Sequence, residues 1–179
     1  MRLALALALL ASPAAASEVC KEAWMARNLI FDRAGACFSS ALGQRYFDNG
    51  VCGGDVALSA VDQARVDTLR DVEARYDCAI DTSAPFMTDA PEWLFAFDPV
   101  PVTDGLESAC IGWQGAPAML RSGPGGRITG ELRQGDTILL LHDGTEDMQF
   151  LTISDNGAII ARGWHKGPLN LDKCDAFAG

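Results

Sequence analysis

Only two histidines and two tyrosines occur in the 179 residues, and basic side chains are outnumbered by acidic ones, 14 against 24. A deficit of positive charge repels phosphate backbones and anionic lipid heads, so nucleic acid and membrane surfaces are not expected partners. No C-x-x-C pair is present, and two histidines give no zinc-ligand set. The nucleophile elbow G-x-S-x-G is missing. Gly123-Pro-Gly-Gly126 lacks the Lys-Ser/Thr of a phosphate loop and is expected to be a turn. His142, Asp143, Glu146 and Asp147 cluster without the spacing of a calcium loop, which suggests a solvated hairpin tip. No serine has a histidine at a recognisable spacing, and His142 and His165 read as surface or structural groups. Glu22 and Asp32 show no sign of the defined separation that a sugar-cleaving carboxylate pair needs. No catalytic residue, cofactor or metal is expected. No stretch reaches about eighteen uninterrupted apolar residues, so no membrane anchor is expected.

What is present begins with the leader. Arg2 precedes an apolar run, Leu3 to Leu10, which Ser12-Pro13 breaks before Ala14-Ala15-Ala16. This is the order of a secretory signal, with cleavage expected near Ala16. The run is too short to span a bilayer. Glu18 precedes Cys20 where a lipoprotein would carry a small-residue box. A periplasmic or secreted location follows. Loss of Arg2 would leave thirteen basic against twenty-four acidic side chains, a net charge of about −11.

Export makes the cysteines interpretable as disulfides. Cys20, Cys37, Cys52 and Cys78 fall early, Cys110 and Cys174 late. Two units that each close their own bridges leave three pairings. Cys37–Cys52 across a short loop, Cys20–Cys78 between two helices and Cys110–Cys174 at the ends of the second unit form the favoured set. Each bridge would contribute about 3 to 4 kcal/mol on the chain-entropy argument.

The organisation is α+β. A signal peptide at 1–16 precedes a small helical unit at 17–80, an apolar acidic connector at 81–107 and a small β-barrel at 108–179. Trp24, Leu29, Ile30 and Phe31 give the first helix its apolar positions, and Gly35 stands where it should stop. A short second helix is suggested within Phe38 to Phe47. Ser59, with Asp62 three residues on, opens a third helix carrying Val61, Ala64, Leu69, Val72 and Tyr76. Asp71 and Arg75 fit an i,i+4 pair. Residues 81–109 hold six acids and no base. Trp93, Phe95 and Phe97 alternate there as on one face of a strand, and the prolines at 85, 91, 99 and 101 limit regular structure. Six short strands are expected beyond: 110–113, 118–121, 127–132, 136–142, 149–154 and 158–164. Asn156-Gly157 is a hairpin signal between the last two.

The stretch RNLIFDRAGACFSSALGQRYF, through Arg27, Asn28, Ile30, Phe31, Arg33, Gly35, Phe38, Ser39, Tyr46 and Phe47, resembles the YARHG domain of exported bacterial proteins. The namesake histidine is Ala34 here, so acid–base chemistry at that position is lost. The resemblance implies an extracytoplasmic domain that binds the cell envelope. Leu120-Arg-Ser-Gly-Pro-Gly125, Gly130 to Asp136 and Gly163-Trp-His-Lys-Gly-Pro-Leu169 resemble a bacterial Src-homology-3-like domain, which implies a barrel that binds peptidoglycan or peptide.

The expected function is therefore a non-enzymatic envelope binder. Its ligand would be cell-wall glycan or peptide. A structural or inhibitory partner of another exported protein is the alternative, followed by a hydrolase with an unrecognised site. Candidate ligand-binding residues are Arg27, Arg33, Trp93 and Trp164, the arginines for a carboxylate and the tryptophans for a sugar ring. The competing expectation is that Arg27, Asp32, Arg33 and Arg45 form an ion-pair network joining the first two helices.

Overall fold

The computed structural model describes residues 17–53 and 55–179, and the expected signal peptide lies outside them. Three helices come first: α1 (Glu18–Arg33), α2 (Ala41–Tyr46) and α3 (Ala60–Arg75). Each starts on a serine whose hydroxyl accepts a backbone N–H from the first turn: Ser17 from Cys20, Ser40 from Gly43 and Ser59 from Asp62. Satisfying an otherwise unpaired N–H in this way fixes where a helix begins. Ser59 also donates to the Asp62 carboxylate. α1 ends at Arg33 with Ala34 as its cap, just before Gly35, as the sequence suggests.

α1 is buried on most of its circumference, through Ala23, Trp24, Met25, Ala26, Leu29 and Ile30. No single neighbour could cover so wide a surface. α3 supplies Val66, Leu69 and Val72, α2 supplies Leu42, and residues 81–107 supply Leu94, Val100 and Val102. The connector is thus part of the helical core, which explains why it is too apolar for a tether.

Trp93, Phe95 and Phe97 do not form a strand. Residues Glu92–Ala96 make a 3-10 helix. With three residues per turn, positions i and i+3 share a side, and Leu94 and Phe97 are the buried pair, 0% and 4% exposed.

Seven strands follow: β1 (Ser108–Trp113), β2 (Ala118–Arg121), β3 (Ile128–Leu132), β4 (Thr137–Leu140), β5 (Met148–Asp155), β6 (Ala158–Lys166) and β7 (Cys174–Ala178). They form one antiparallel sheet in the order β3-β2-β6-β5-β4-β1-β7. The sheet is open, with β3 and β7 at its edges, so the expected closed barrel is not what forms. β7 is a strand the sequence reading did not anticipate. Asn156 and Gly157 turn β5 into β6 with φ of 48° and 81°, the left-handed pair that a two-residue hairpin requires.

β5 is buried on both faces, and its two faces meet different partners. Leu151 and Ile153 join Cys110, Trp113, Leu120, Leu132 and Ile138. Phe150 joins Trp164 of β6 and Phe97 of the connector. The connector therefore covers the Phe150–Trp164 face, while the strands bury the opposite face among themselves.

Three disulfides staple this arrangement: Cys20–Cys78, Cys37–Cys52 and Cys110–Cys174. They are the pairs that the spacing favours. The first ties α1 to the residues just after α3, and the last joins β1 to β7.

Candidate functional site

The charged groups of α1 are committed to the fold. Arg27 aims its fork at Glu73 of α3, with Nε 3.1 and 3.0 Å from the two carboxylate oxygens and Nη2 3.0 Å from one of them. The two side chains are 21% and 19% exposed, so this is a partly desolvated, bidentate pair. Arg33 donates to the Phe97 carbonyl at 2.9 Å and approaches Asp98 at 3.4 Å. Arg65 of α3 donates to the Val100 carbonyl and lies 3.7 Å from Asp62. Arg33 and Arg65 line a cleft of about 420 Å³, but the carboxylates of Asp62 and Asp98 line it too and offset their charge. Burial lowers the pKa of Arg65 from its ordinary value, while Asp62 opposes the shift.

The expected network of Arg27, Asp32, Arg33 and Arg45 does not form. The arginines of α1 reach α3 and the connector rather than α2, because those are the surfaces that α1 packs against. Asp32 makes no ion pair among the described residues. Burial raises its pKa, the Asp48 backbone N–H opposes that, and the Asp48 charge adds to it. Arg45 instead lines a shallow surface cleft with Tyr46, Glu92 and Phe95. Arg75, expected to pair with Asp71, donates to the Asp104 carbonyl at 2.7 Å.

Neither candidate tryptophan offers a free face to a sugar. Trp93 stacks on Phe150 at 5.9 Å on one side, and the Arg162 guanidinium lies 4.5 Å over its ring. Phe97 and His142 meet it edge-on. Trp164 is 2% exposed and donates its indole N–H to the Pro99 carbonyl at 2.9 Å. A stacking platform needs an open ring face, which packing against the connector removes.

Trp164 nevertheless contributes to a cleft of about 410 Å³ with Met119, Pro124 and Met148 as apolar walls. Arg121, Lys166 and Asp147 are its charged groups. The Leu120-Arg-Ser-Gly-Pro-Gly125 and Gly163-Trp-His-Lys segments meet here because β2 pairs with β6 at Arg121 and Trp164. Arg121 is steadied by donating to the Gly126 carbonyl at 2.9 Å. The glycine of the motif has a steric reason. A Cβ at Gly123 would sit 1.8 Å from the Asp98 carbonyl oxygen, where the Asp98 N–H also meets the Ser122 carbonyl at 2.8 Å. The connector thus runs against the turn and holds one wall of the cleft.

His142 is not at a solvated tip. Its side chain is 1% exposed, and Nε2 lies 2.7 Å from the Glu22 carboxylate of α1. Nδ1 has no hydrogen-bond partner among the described residues. The neighbouring Asp143 has a raised pKa, through burial first and the Asp104 charge second, with His142 opposing. This contact spans 120 positions of sequence, so no local pattern could have exposed it. Glu22 and His142 tie the helices to the loop between β4 and β5, and neither lines the Trp164 cleft.

Residues 77–179 match the family model described as a domain of unknown function, DUF4453, and residues 1–74 match the YARHG domain. No curated protein and no solved structure matches the chain. Among the described residues no helix is long and apolar enough to cross a membrane.

Proposed function

From the premise that the chain belongs to the DUF4453 family, we propose that it is an exported, non-enzymatic binding protein of the bacterial cell envelope. Its ligand is a peptide-bearing fragment of the cell wall, held in the cleft beside Trp164. The observation that carries this reading is the lining of that cleft: Arg121 and Lys166, opposed by Asp147, around Met119, Pro124 and Met148. In a chain of formal charge −10, an excess of positive groups around an apolar hollow suits a ligand with carboxylates and small apolar side chains. The stem peptide of a wall polymer has that chemistry. A bare glycan suits it less, since Trp93 and Trp164 have no open ring face. Arginine supplies a planar fork for a carboxylate and lysine a mobile point charge.

Export is supported by the Leu3-to-Ala16 leader pattern and by three disulfides, which persist in oxidising compartments. The match of residues 1–74 to the YARHG domain adds to this reading.

Co-sedimentation of the oxidised mature protein with purified sacculi, set against capture from total periplasmic protein, tests the class of ligand. Retention on sacculi, whether or not a protein is also captured, is the expected result. A stoichiometric protein partner without sacculus retention would replace this reading with the protein-partner alternative.

A further inference from the structure

A groove of about 320 Å³ lies between β3 and the first half of β6. Ile128, Ile159 and Ile160 line it at 55%, 45% and 57% exposure. Three large aliphatic side chains gathered in one strip differ from the scattered apolar residues of an ordinary surface. Arg127 and Arg162 supply its charge, and among the described residues no acidic side chain lines it.

The strands beside the groove have open edges. β6 pairs with β5 from Ala158 to Lys166, but with β2 only at Trp164. Among the described residues, no strand is paired with the other edge of Ala158 to Gly163, although β3 packs close to Ala161 and Gly163 through Gly130 and Thr129. β3 is an edge strand, paired with β2 alone. Free edges of this kind template the addition of another strand.

Arg162 adds a specific anchor. Its guanidinium carbon lies 4.5 Å from the Trp93 ring centroid, a cation–π contact that positions the head beside the groove before any ligand arrives. Among the described residues it forms no ion pair; the nearby Glu22 carboxylate is hydrogen-bonded to His142. Burial lowers the Arg162 pKa and Glu22 opposes the shift. A half-desolvated cation with unused donors gains most from a carboxylate delivered to it.

We propose that this groove captures an extended acidic segment of a partner protein, which pairs with the open edge of β6 and sets a carboxylate on Arg162 and Arg127. Apolar side chains of the segment pack on Ile128, Ile159 and Ile160. At about 3.3 Å per residue, five or six residues of strand cover the open edge. The site is separate from the Trp164 cleft: wall binding is read at Arg121 and Lys166, and peptide capture at Arg127 and Arg162, so the two claims fail separately.

An end-blocked hexapeptide of alternating valine and glutamate, with its glutamine counterpart, tests the proposal by titration into the isotope-labelled, oxidised mature protein. The glutamate peptide should shift the amides of β3 and of the first half of β6, together with the Trp93 indole N–H. The glutamine peptide should bind about tenfold more weakly, the scale of one charge-assisted hydrogen bond. Arg127→Gln, at an exposed position, should weaken capture with the melting temperature unchanged. Arg162→Lys keeps the charge, loses the fork and should weaken it further. Equal binding of the two peptides, no binding at millimolar concentration, or shifts confined to the Trp164 cleft would overturn the proposal. Concentration-dependent shifts without peptide would assign the groove to a second copy of the chain and overturn it equally.

Discussion

At the scale of single residues, the charges of α1 show how burial sorts groups that look alike in sequence. Arg27, Asp32 and Arg33 lie within seven positions, and each has a different fate. Arg27 reaches α3, Arg33 reaches the connector, and Asp32 stays at the C-terminal end of the helix, where a negative charge is disfavoured. That these groups needed partners was legible from the sequence. Which partners they took was not, because Glu73 and Asp98 are brought close only by tertiary packing.

Asp32 carries a pH prediction. Burial raises its pKa above the ordinary 3.8. The folded state therefore holds this proton at a pH where the unfolded chain has lost it. Its contribution is most favourable below the unfolded value and declines as pH rises through the folded one. The ionised group is thus a net cost at neutral pH. Asp32→Asn, which can still accept from the Asp48 N–H, should leave stability at about pH 7 equal or higher by less than about 1 kcal/mol. The difference should shrink toward about pH 3, where the wild-type carboxyl is protonated. Urea unfolding midpoints at the two pH values check this, and a variant less stable than wild type at neutral pH would contradict it.

At the scale of elements, α1 is held to α3 by two devices of different kinds. The Cys20–Cys78 bridge restricts the unfolded chain, and the Arg27–Glu73 pair acts in the folded state. Arg27→Ala would leave the Glu73 carboxylate partly desolvated without its fork. It should lower stability by about 1 to 3 kcal/mol in oxidised protein. A double-mutant cycle with Glu73→Ala measures the coupling by urea titration, and additive losses would show that the pair is not a unit.

The start of α3 at Ser59, the Asn156-Gly157 hairpin and the general run of strands were legible because each follows from local chemistry: a capping serine, a left-handed turn, a short apolar run. The 3-10 helix at Glu92–Ala96 was misread because alternating aromatics imitate a strand. The spacing of three between Leu94 and Phe97 was the signal to follow. β7 was missed because Cys174–Ala178 is an edge strand, with only Cys174 partly buried, and so lacks the alternation of a half-buried strand.

At the scale of the whole molecule, the connector decides the architecture. Residues 81–107 contribute Leu94, Val100 and Val102 to the helical core and Phe97 to the face of β5 and β6. Short motifs resembling a Src-homology-3-like domain are locally correct about turns and strands, but they do not encode closure. The sheet has free edges at β3 and β7, and the connector packs through Phe97 on the Phe150–Trp164 face, opposite the face that the strands bury among themselves. That same packing uses up the faces of Trp93 and Trp164, which is why the expected sugar platform is absent. It also shapes the Trp164 cleft, through the contact of Asp98 with the Ser122–Gly123 turn. The two ends of the cleft motif were legible in sequence. Their meeting across β2 and β6 was not.

Binding at the cleft of Arg121, Lys166 and Trp164 is tested most directly by equilibrium titration with a soluble stem-peptide fragment of the cell wall. The comparison is between the oxidised mature protein and its Arg121→Gln/Lys166→Gln double variant. The wild type should bind, and the variant should bind at least about tenfold more weakly at an unchanged melting temperature, as expected for the loss of charge-assisted contacts at the protein surface. Equal affinity of the two proteins, or no binding by the wild type, would contradict the account.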